Sequence, residues 1–401
     1  MLVSRPERTY SPTSANQRRM FVLNRLSPDG IDYNVPVALR LQGELDVDRL
    51  HKALHALAAR HDALRTSFSV VGDEVVQMIA NEVQIEMDLR EVDGKQGVEE
   101  LNRSFVRGFD LGRAPLFRSC LARMGKTDHV LLLDLHHIVC DGVSVDVLAA
   151  DLGRLYDGQD LNAPPSGYKD FVQWQAKFSR SPEAKKQEEY WLELLGEYPP
   201  ALDLPLDFPR QRERSLDGRT VAVQPGEDLA RALRTLAARQ RVSMYMLLLS
   251  AYNILLSKYT GQEDVLVGTL AAGRPDERFM EIVGLFVNTL VLRSRPAGNI
   301  EFVDSCGGRG YHLIVVGCRR LHPRTSRGTK RGRIVAVQIV RDPYRGANQI
   351  RGRRSKGWRC APIYQVVYWG GTRGGGCARN PSQIDLLVGR SHCGQRGWRS
   401  Y

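Results

Sequence analysis

Two cysteines, Cys120 and Cys140, are all that the first 300 residues contain, and neither has a neighbour at a metal-ligand spacing. A disulfide framework or a cysteine zinc site cannot be built from them, so both are expected as free thiols. Long apolar runs are missing too. The longest, Tyr245 to Leu256, is interrupted by Ser250 and Asn253; it is too short for a bilayer and reads as a buried helix. The opening residues MLVSRPERTY hold no apolar stretch of the kind a secretory signal needs. The expected location is therefore the cytoplasm, with no membrane partner. A G-x-S-x-G elbow is absent, which argues against a Ser-His-Asp hydrolase, and no short tandem repeat occurs.

Acidic charge is scarce in one place. Residues 301–401 hold 20 Lys and Arg against 4 Asp and Glu, while residues 1–300 hold 37 against 41. The formal net charge of +12 thus belongs to the last quarter, which also carries 5 of the 7 cysteines, 3 of the 5 tryptophans and 17 of the 37 glycines. The first three quarters form a mildly acidic globular chain, and no nucleic-acid partner is expected for it.

What is present is a succession of α/β elements. Residues 15–26 read as a helix with Ser14 as its cap. Asn34 to Leu41 alternates like a strand. Asp46 to Arg60 places Val47, Leu50, Leu54 and Leu57 on one helical face. Strands are predicted at Arg65–Val71, Glu74–Ile79 and Asp128–His136, the last with an apolar run suited to burial on both faces. Ser144 opens a helix with Val145, Leu148, Leu152 and Leu155 in register. Phe171 to Leu195 reads as largely helical, ended by Pro199-Pro200. A second α/β region begins near Val221, with helices at Asp228–Gln240 and Met244–Tyr259 and strands at Asp264–Thr269 and within Phe286–Arg293. Two successive α/β lobes, divided near residues 170–200, account for this order.

The run His136-His137-Ile138-Val139-Cys140-Asp141-Gly142 concentrates the chemistry. It is a strand ending in two histidines, then a turn, then a helix start whose dipole favours negative charge. Strand alternation is expected to send the two histidines to opposite faces. Gly142 is expected to permit a tight turn, and Asp141 to hold a cation or orient the turn. A neutral imidazole suits proton transfer near neutral pH. Zinc would need a third ligand that no nearby spacing supplies. Spacing alone supports a histidine acid/base site or a structural pair, and names no reaction.

Several segments together carry a resemblance. They are Ser14-Ala15-Asn16-Gln17-Arg18-Arg19-Met20, Arg60-His61-Asp62-Ala63-Leu64-Arg65-Thr66-Ser67-Phe68, the HHxxxDGxS run from His136 to Ser144, Tyr168-Lys169-Asp170-Phe171-Val172-Gln173-Trp174-Gln175, and Gly284-Leu285-Phe286-Val287-Asn288-Thr289. Phe109-Asp110-Leu111 with Ala114-Pro115-Leu116-Phe117-Arg118 adds to them. In this order they resemble a condensation domain of a nonribosomal peptide synthetase, in the superfamily that includes chloramphenicol acetyltransferase. Asn16 departs from the pattern, standing close to where alanine is usual.

The resemblance implies an α/β fold of two chloramphenicol acetyltransferase-like lobes, a pseudo-dimer about a central tunnel. Residues 1–175 would form the first lobe and 176–304 part of the second. The implied reaction is amide formation between a donor acyl or peptidyl thioester and an acceptor aminoacyl thioester. No cofactor would be bound directly, since phosphopantetheine arms of upstream and downstream carrier domains deliver both substrates, with an adenylation domain adjacent. The chain would be a fragment of a multidomain synthetase. His137 is implied as the catalytic residue and His136 as its support. Asp141 is implied as a structural anchor paired with an arginine, for which Arg65 is the candidate, with Gly142 keeping the turn close and Asn288 lining the site from the second lobe. The alternatives are an epimerisation domain of the same superfamily and a non-catalytic carrier-recruiting domain.

After Asp304 the resemblance fails. The segment 305–401 is read as an anomalous basic tail produced by a change of reading frame near codon 305, which leaves the second lobe incomplete. Ala361 to Tyr368 resembles a late segment of the same family, a sign that the frame returns briefly. The other reading, a basic segment binding RNA or an acidic partner, lacks clean RGG repeats.

Overall fold

Ser14 and Gln17 start the first helix by capping each other. The Gln17 N–H donates to Ser14 Oγ at 3.1 Å, and the Ser14 N–H donates to Gln17 Oε1 at 3.0 Å, a reciprocal cap that satisfies two otherwise orphaned donors. A computed structural model describes residues 10–196, 201–208 and 225–296, with the backbone of residues 335–336 and 359–363. In chain order the elements are β1 (Ser11–Pro12), α1 (Ala15–Leu26), β2 (Asn34–Gln42), α2 (Val47–Arg60), β3 (Thr66–Val71), β4 (Glu74–Ile79), β5 (Met87–Glu91), α3 (Gly94–Phe105), β6 (Phe117–Gly125) and β7 (Asp128–His136). Then come α4 (Gly142–Tyr156), α5 (Tyr168–Phe178), α6 (Pro182–Leu195), α7 (Glu227–Gln240), α8 (Met244–Thr260), β8 (Val265–Ala271), β9 (Asn288–Ser294), β10 (Val335–Ala336) and β11 (Arg359–Ile363).

Five strands in the order β11-β2-β7-β6-β5 make the main sheet of the first lobe, and β1-β4-β3 make a small second sheet. β7 lies in the middle and is buried on both faces, as its apolar run predicts. Leu131, Leu133 and Leu135 pack with Leu50, Leu54 and Leu57 of α2 and Leu148 and Leu152 of α4. Val130 and Leu132 point the other way, to Val98 and Phe105 of α3. Each such side chain taken out of water contributes about 1.5–3 kcal/mol, so β7 is the rigid member on which the histidine turn is mounted. The second lobe places β8 between β9 and β10 and packs α8 on it through Leu249, Leu256, Val265, Val267 and Leu292.

β5, α3 and β6 were not legible locally. α3 begins Gly-Lys-Gln-Gly and has few apolar positions, and it is packing of Val98 and Phe105 against Cys120, Ala122, Val130 and Leu132 that makes it a helix here. The helical stretch expected over Phe171–Leu195 is two helices. Ser181 caps the second by accepting from the Ala184 N–H at 3.2 Å, and Pro182 takes its first turn, where a missing N–H costs nothing. α4 starts at Gly142 with Asp141 as its cap, two residues before the expected opening at Ser144.

An aromatic cluster joins the lobes. Phe171 of α5 lies 4.5 Å from Phe286 and 5.6 Å from Phe279, ring centre to ring centre, and Tyr168 meets Phe286 edge-on at 5.0 Å. Pairs of this kind add about 0.5–1.5 kcal/mol each beyond the area they bury. β11 pairs antiparallel with β2, Ile363 opposite Ala38, so the start of the Ala361 to Tyr368 segment joins the first lobe's sheet. Apart from residues 335–336 and 359–363, the 305–401 segment lies outside the described residues, as do Pro199-Pro200 and the region around Val221. Among the described residues no helix is long and apolar enough to cross a membrane.

Candidate active site

β7 ends at His136, and the chain enters a tight 3-10 turn over His137–Val139 before α4 begins. The His136 ring is the cap of that turn: its Nδ1 accepts the Ile138 N–H at 3.1 Å. Its ring proton therefore sits on Nε2. Burial, with the neighbouring His137 adding to it, pushes its pKa down to about 3, so His136 stays neutral near neutral pH and acts as a hydrogen-bond acceptor.

His137 is oriented at two points. Its N–H donates to the Tyr33 carbonyl at 2.7 Å, and its ring Nδ1 lies 2.6 Å from the Cys140 carbonyl oxygen. A carbonyl can only accept, so the ring proton is on Nδ1 and Nε2 is the basic nitrogen of the neutral imidazole. Strand alternation does not govern the pair, because only His136 belongs to the strand. The strand stops at His136, and the turn redirects His137.

Asp141 is an anchor with a different partner from the one expected. Its Oδ1 accepts from the Ser144 N–H (2.8 Å), the Ser144 hydroxyl (2.7 Å) and Arg274 (3.1 Å), and its Oδ2 accepts from the N–H groups of Phe286 (3.0 Å) and Val287 (3.2 Å). Asp141 and Arg274 are each 1% exposed at the side chain. Arg274 also donates to the Ile282 carbonyl at 2.6 Å and lies 4.0 Å over the Phe286 ring. Arg65, the expected partner, is engaged elsewhere. It donates to Asp62 at 2.7 Å and to the Ala58 carbonyl at 3.0 Å, closing the C-terminal end of α2 and holding the Ala80 and Asn81 carbonyls. Its position at the end of the 3-10 turn after α2 aims it at those carbonyls. Arg274 lies 133 residues beyond Asp141, so nothing local in the sequence singles it out.

The segment 284–287 of the second lobe is held by side chains from three of the other motifs. The Gly284 N–H donates to Ser144 Oγ at 3.0 Å, and the Leu285 carbonyl accepts from Tyr168 at 2.6 Å. The Phe286 and Val287 N–H groups go to Asp141, and the Val287 carbonyl accepts from Asn16 Nδ2 at 3.0 Å. Gly284 has to be glycine, because a Cβ there would stand 2.0 Å from the Tyr168 ring. The expected requirement at Gly142 is not found. Its backbone is outside the positive-φ region and a Cβ would meet nothing within 4 Å; as the first residue of α4 it simply faces open space. Asn288 follows directly on the clamped segment at the start of β9, with its Oδ1 accepting the Thr289 N–H at 2.9 Å. Its neighbour Val287 is held by Asp141 and Asn16, and the Asn288 side chain is folded onto the next residue.

Asp134 was not anticipated as a titrating group. It sits two residues before His136, fully buried, accepting from Asn34 Nδ2 at 2.8 Å and facing Arg118 at 3.3 Å. Burial outweighs Arg118 and pushes its pKa up to about 7. A carboxyl raised from its unfolded value of about 4 binds more protons folded than unfolded. Its stabilising effect is therefore full below pH 4 and is lost as pH rises through 7. Asp134→Asn is expected to gain stability over the parent on going from pH 5 to pH 8, read as the difference in urea midpoints. Equal pH dependence in both chains would count against a proton on Asp134. Among the described residues no group of three or more His, Cys, Asp or Glu is placed to hold a metal ion, and Cys120 and Cys140 are buried free thiols.

Comparison with known proteins places these features. A family model described as a condensation domain matches residues 7–306. The chain is 42% identical over 296 residues to bacitracin synthase 2 of Bacillus licheniformis and 44% identical over 295 residues to tyrocidine synthase 3 of Brevibacillus parabrevis. Both alignments cover 74% of the chain, but only 11% and 4% of those relatives, so the chain spans a small part of their length. Among solved structures, the condensation domain of the monacolin K polyketide synthase MokA superposes with a TM-score of 0.69 at 21% identity, covering 78% of this chain and 74% of that one. The X-domain from teicoplanin biosynthesis does so with a TM-score of 0.69 at 26% identity, covering 80% and 72%.

Proposed function

The chain belongs to the condensation-domain family, and from that premise we propose that it forms amide bonds between two thioester-bound substrates. The donor is an acyl or peptidyl thioester and the acceptor an aminoacyl thioester, each presented on the phosphopantetheine arm of a carrier domain, with an adenylation domain adjacent in a larger synthetase. The α-amine of the acceptor attacks the donor carbonyl, a C–N bond forms, and the donor C–S bond breaks. His137 Nε2 takes the proton that the amine loses and returns it to the departing thiolate, so donor thioester plus amine yields amide plus thiol. The observation that carries this reading is the Nδ1 contact to the Cys140 carbonyl at 2.6 Å, which leaves the basic nitrogen as Nε2. Holding two tethered reactants together supplies much of the remaining acceleration.

The family model that matches residues 7–306 is described as a condensation domain, which favours condensation over epimerisation. The test loads donor and acceptor carriers with different amino acids and follows the acceptor by intact mass. A dipeptidyl acceptor is the expected product. An unchanged mass with an inverted α-carbon would replace the proposal with epimerisation, and an unchanged acceptor would leave only carrier recruitment. Gly142→Ala gives a second check. The substitution meets no neighbour and exchanges glycine for the better helix former, so stability is expected within about 1 kcal/mol of the parent. Coupling should nonetheless fall if the open space before α4 is where substrates pass. Undiminished coupling would place the reacting groups elsewhere.

A further inference from the structure

Asn16 and Gln17 are consecutive residues in the first turn of α1, and their side-chain amides reach opposite banks of the seam. Gln17 Nε2 donates to the Ile138 carbonyl, inside the histidine turn, at 3.4 Å, and Asn16 Nδ2 donates to the Val287 carbonyl, one residue before Asn288, at 3.0 Å. We infer that this turn of α1 is a spacer that sets the distance between the His137 turn and the entry to β9, with Asn16 as a positioning residue for the transfer. The functional half of this inference rests on the transfer reading above; the structural half does not.

The spacer is rigid for a stated reason. Ser14 and Gln17 cap each other, so the Gln17 amide that holds Ile138 through its nitrogen is fixed through its oxygen to the Ser14 N–H. The Tyr168 hydroxyl lies 3.0 Å from Ser14 Oγ, within hydrogen-bond reach, and 2.6 Å from the Leu285 carbonyl, which accepts from it. Hydrogen bonds therefore run from the histidine turn through the cap of α1 to the second lobe without leaving buried residues. The Val287 peptide is gripped on both sides, its N–H by Asp141 Oδ2 and its carbonyl by Asn16. On a helix, adjacent residues are separated by about 1.5 Å of rise and cannot slide. Whatever fixes one bank fixes the other. An alanine at position 16 would have no donor to offer the Val287 carbonyl.

The experiment uses the full chain and three substitutions. Asn16→Ala removes the donor, Asn16→Gln keeps it, and Asn16→Asp sets a carboxylate against the Val287 carbonyl while suiting the positive end of the helix, so folding is not at risk. Asn16→Asp is expected to raise backbone amide exchange over residues 284–290 by about tenfold, the equivalent of one lost hydrogen bond, and to speed diethyl pyrocarbonate labelling of His137. Asn16→Ala should show a smaller rise, and Asn16→Gln should stay close to the parent. In the carrier assay Asn16→Asp should lower kcat with KM for either loaded carrier unchanged, as a lost ground-state contact would not do. If exchange and labelling in Asn16→Asp match the parent, the spacer is wrong whether or not the chain couples. If both rise while kcat holds, the seam tie exists but Asn16 does not position the reaction, and the inference falls. A parent chain that forms no product with any carrier pair defeats the transfer reading alone, and exchange and labelling still decide the spacer.

Discussion

His137→Ala is expected to lower formation of the dipeptidyl acceptor by about 10²- to 10⁴-fold, the range general-base catalysis supplies, with little change in thermal midpoint. The ring is tied to its own turn by the hydrogen bond from Nδ1 to the Cys140 carbonyl. The turn it stands on is held mainly by backbone and by its neighbours: the His137 N–H on Tyr33, the Ile138 N–H on His136, and the Ile138 carbonyl on Gln17. Folding and chemistry should therefore separate at this position. His136→Ala is the contrasting case, since it removes the acceptor that caps the turn, and it should lower stability together with rate. The measurement is single-turnover coupling on loaded carriers beside urea unfolding. Full turnover by His137→Ala would remove His137 from the reaction. It would leave proximity of the tethered substrates as the whole of the catalysis.

The second large effect is structural. Asp141→Ala is expected to cost about 3–5 kcal/mol of stability, because it strands a buried guanidinium and the N–H groups of Ser144, Phe286 and Val287. The carboxylate takes hydrogen bonds from Ser144, Arg274, Phe286 and Val287. Arg274→Ala should be comparably damaging, and the double variant should lose clearly less than the sum of the two, since each single change leaves the other charge unpaired. Urea midpoints of the four chains give the cycle. A loss below about 1 kcal/mol in Asp141→Ala would contradict the anchor role. Coupling should fall as well, through displacement of the histidine turn and of residues 284–287. The pH profile of residual coupling should keep its shape, which a carboxyl acting as acid or base would change.

Much of this arrangement was written locally. The cap at Ser14, the helical face of Val47, Leu50, Leu54 and Leu57, the two-faced apolar strand before His136 and the histidine run itself all follow from short-range periodicity and turn chemistry. Such signals survive in a single sequence because the physics behind them spans one turn or one strand. α3 and β6 escaped for the opposite reason. A glycine-rich, weakly apolar segment becomes a helix only where Cys120, Ala122 and Val130 give it a surface to cover. The jump in charge and glycine after residue 300 was equally plain, and the family match ends close by, at residue 306.

The sequence by itself determined which residues draw attention: the histidine pair, the Asp-Gly that follows, and the separate motifs around them. Their roles were decided by the tertiary structure. Which arginine meets Asp141 is a question of packing between segments 133 residues apart, and the answer is Arg274, with Arg65 spent on the end of α2. Gly142 lost its expected steric role and Gly284 gained one, because the clash that forbids a side chain comes from Tyr168, a residue distant in sequence. The nitrogen of His137 that is basic was fixed by the Cys140 carbonyl, a contact no periodicity encodes. Local order sets what each segment can become; only the closed fold determines which buried donor finds which acceptor.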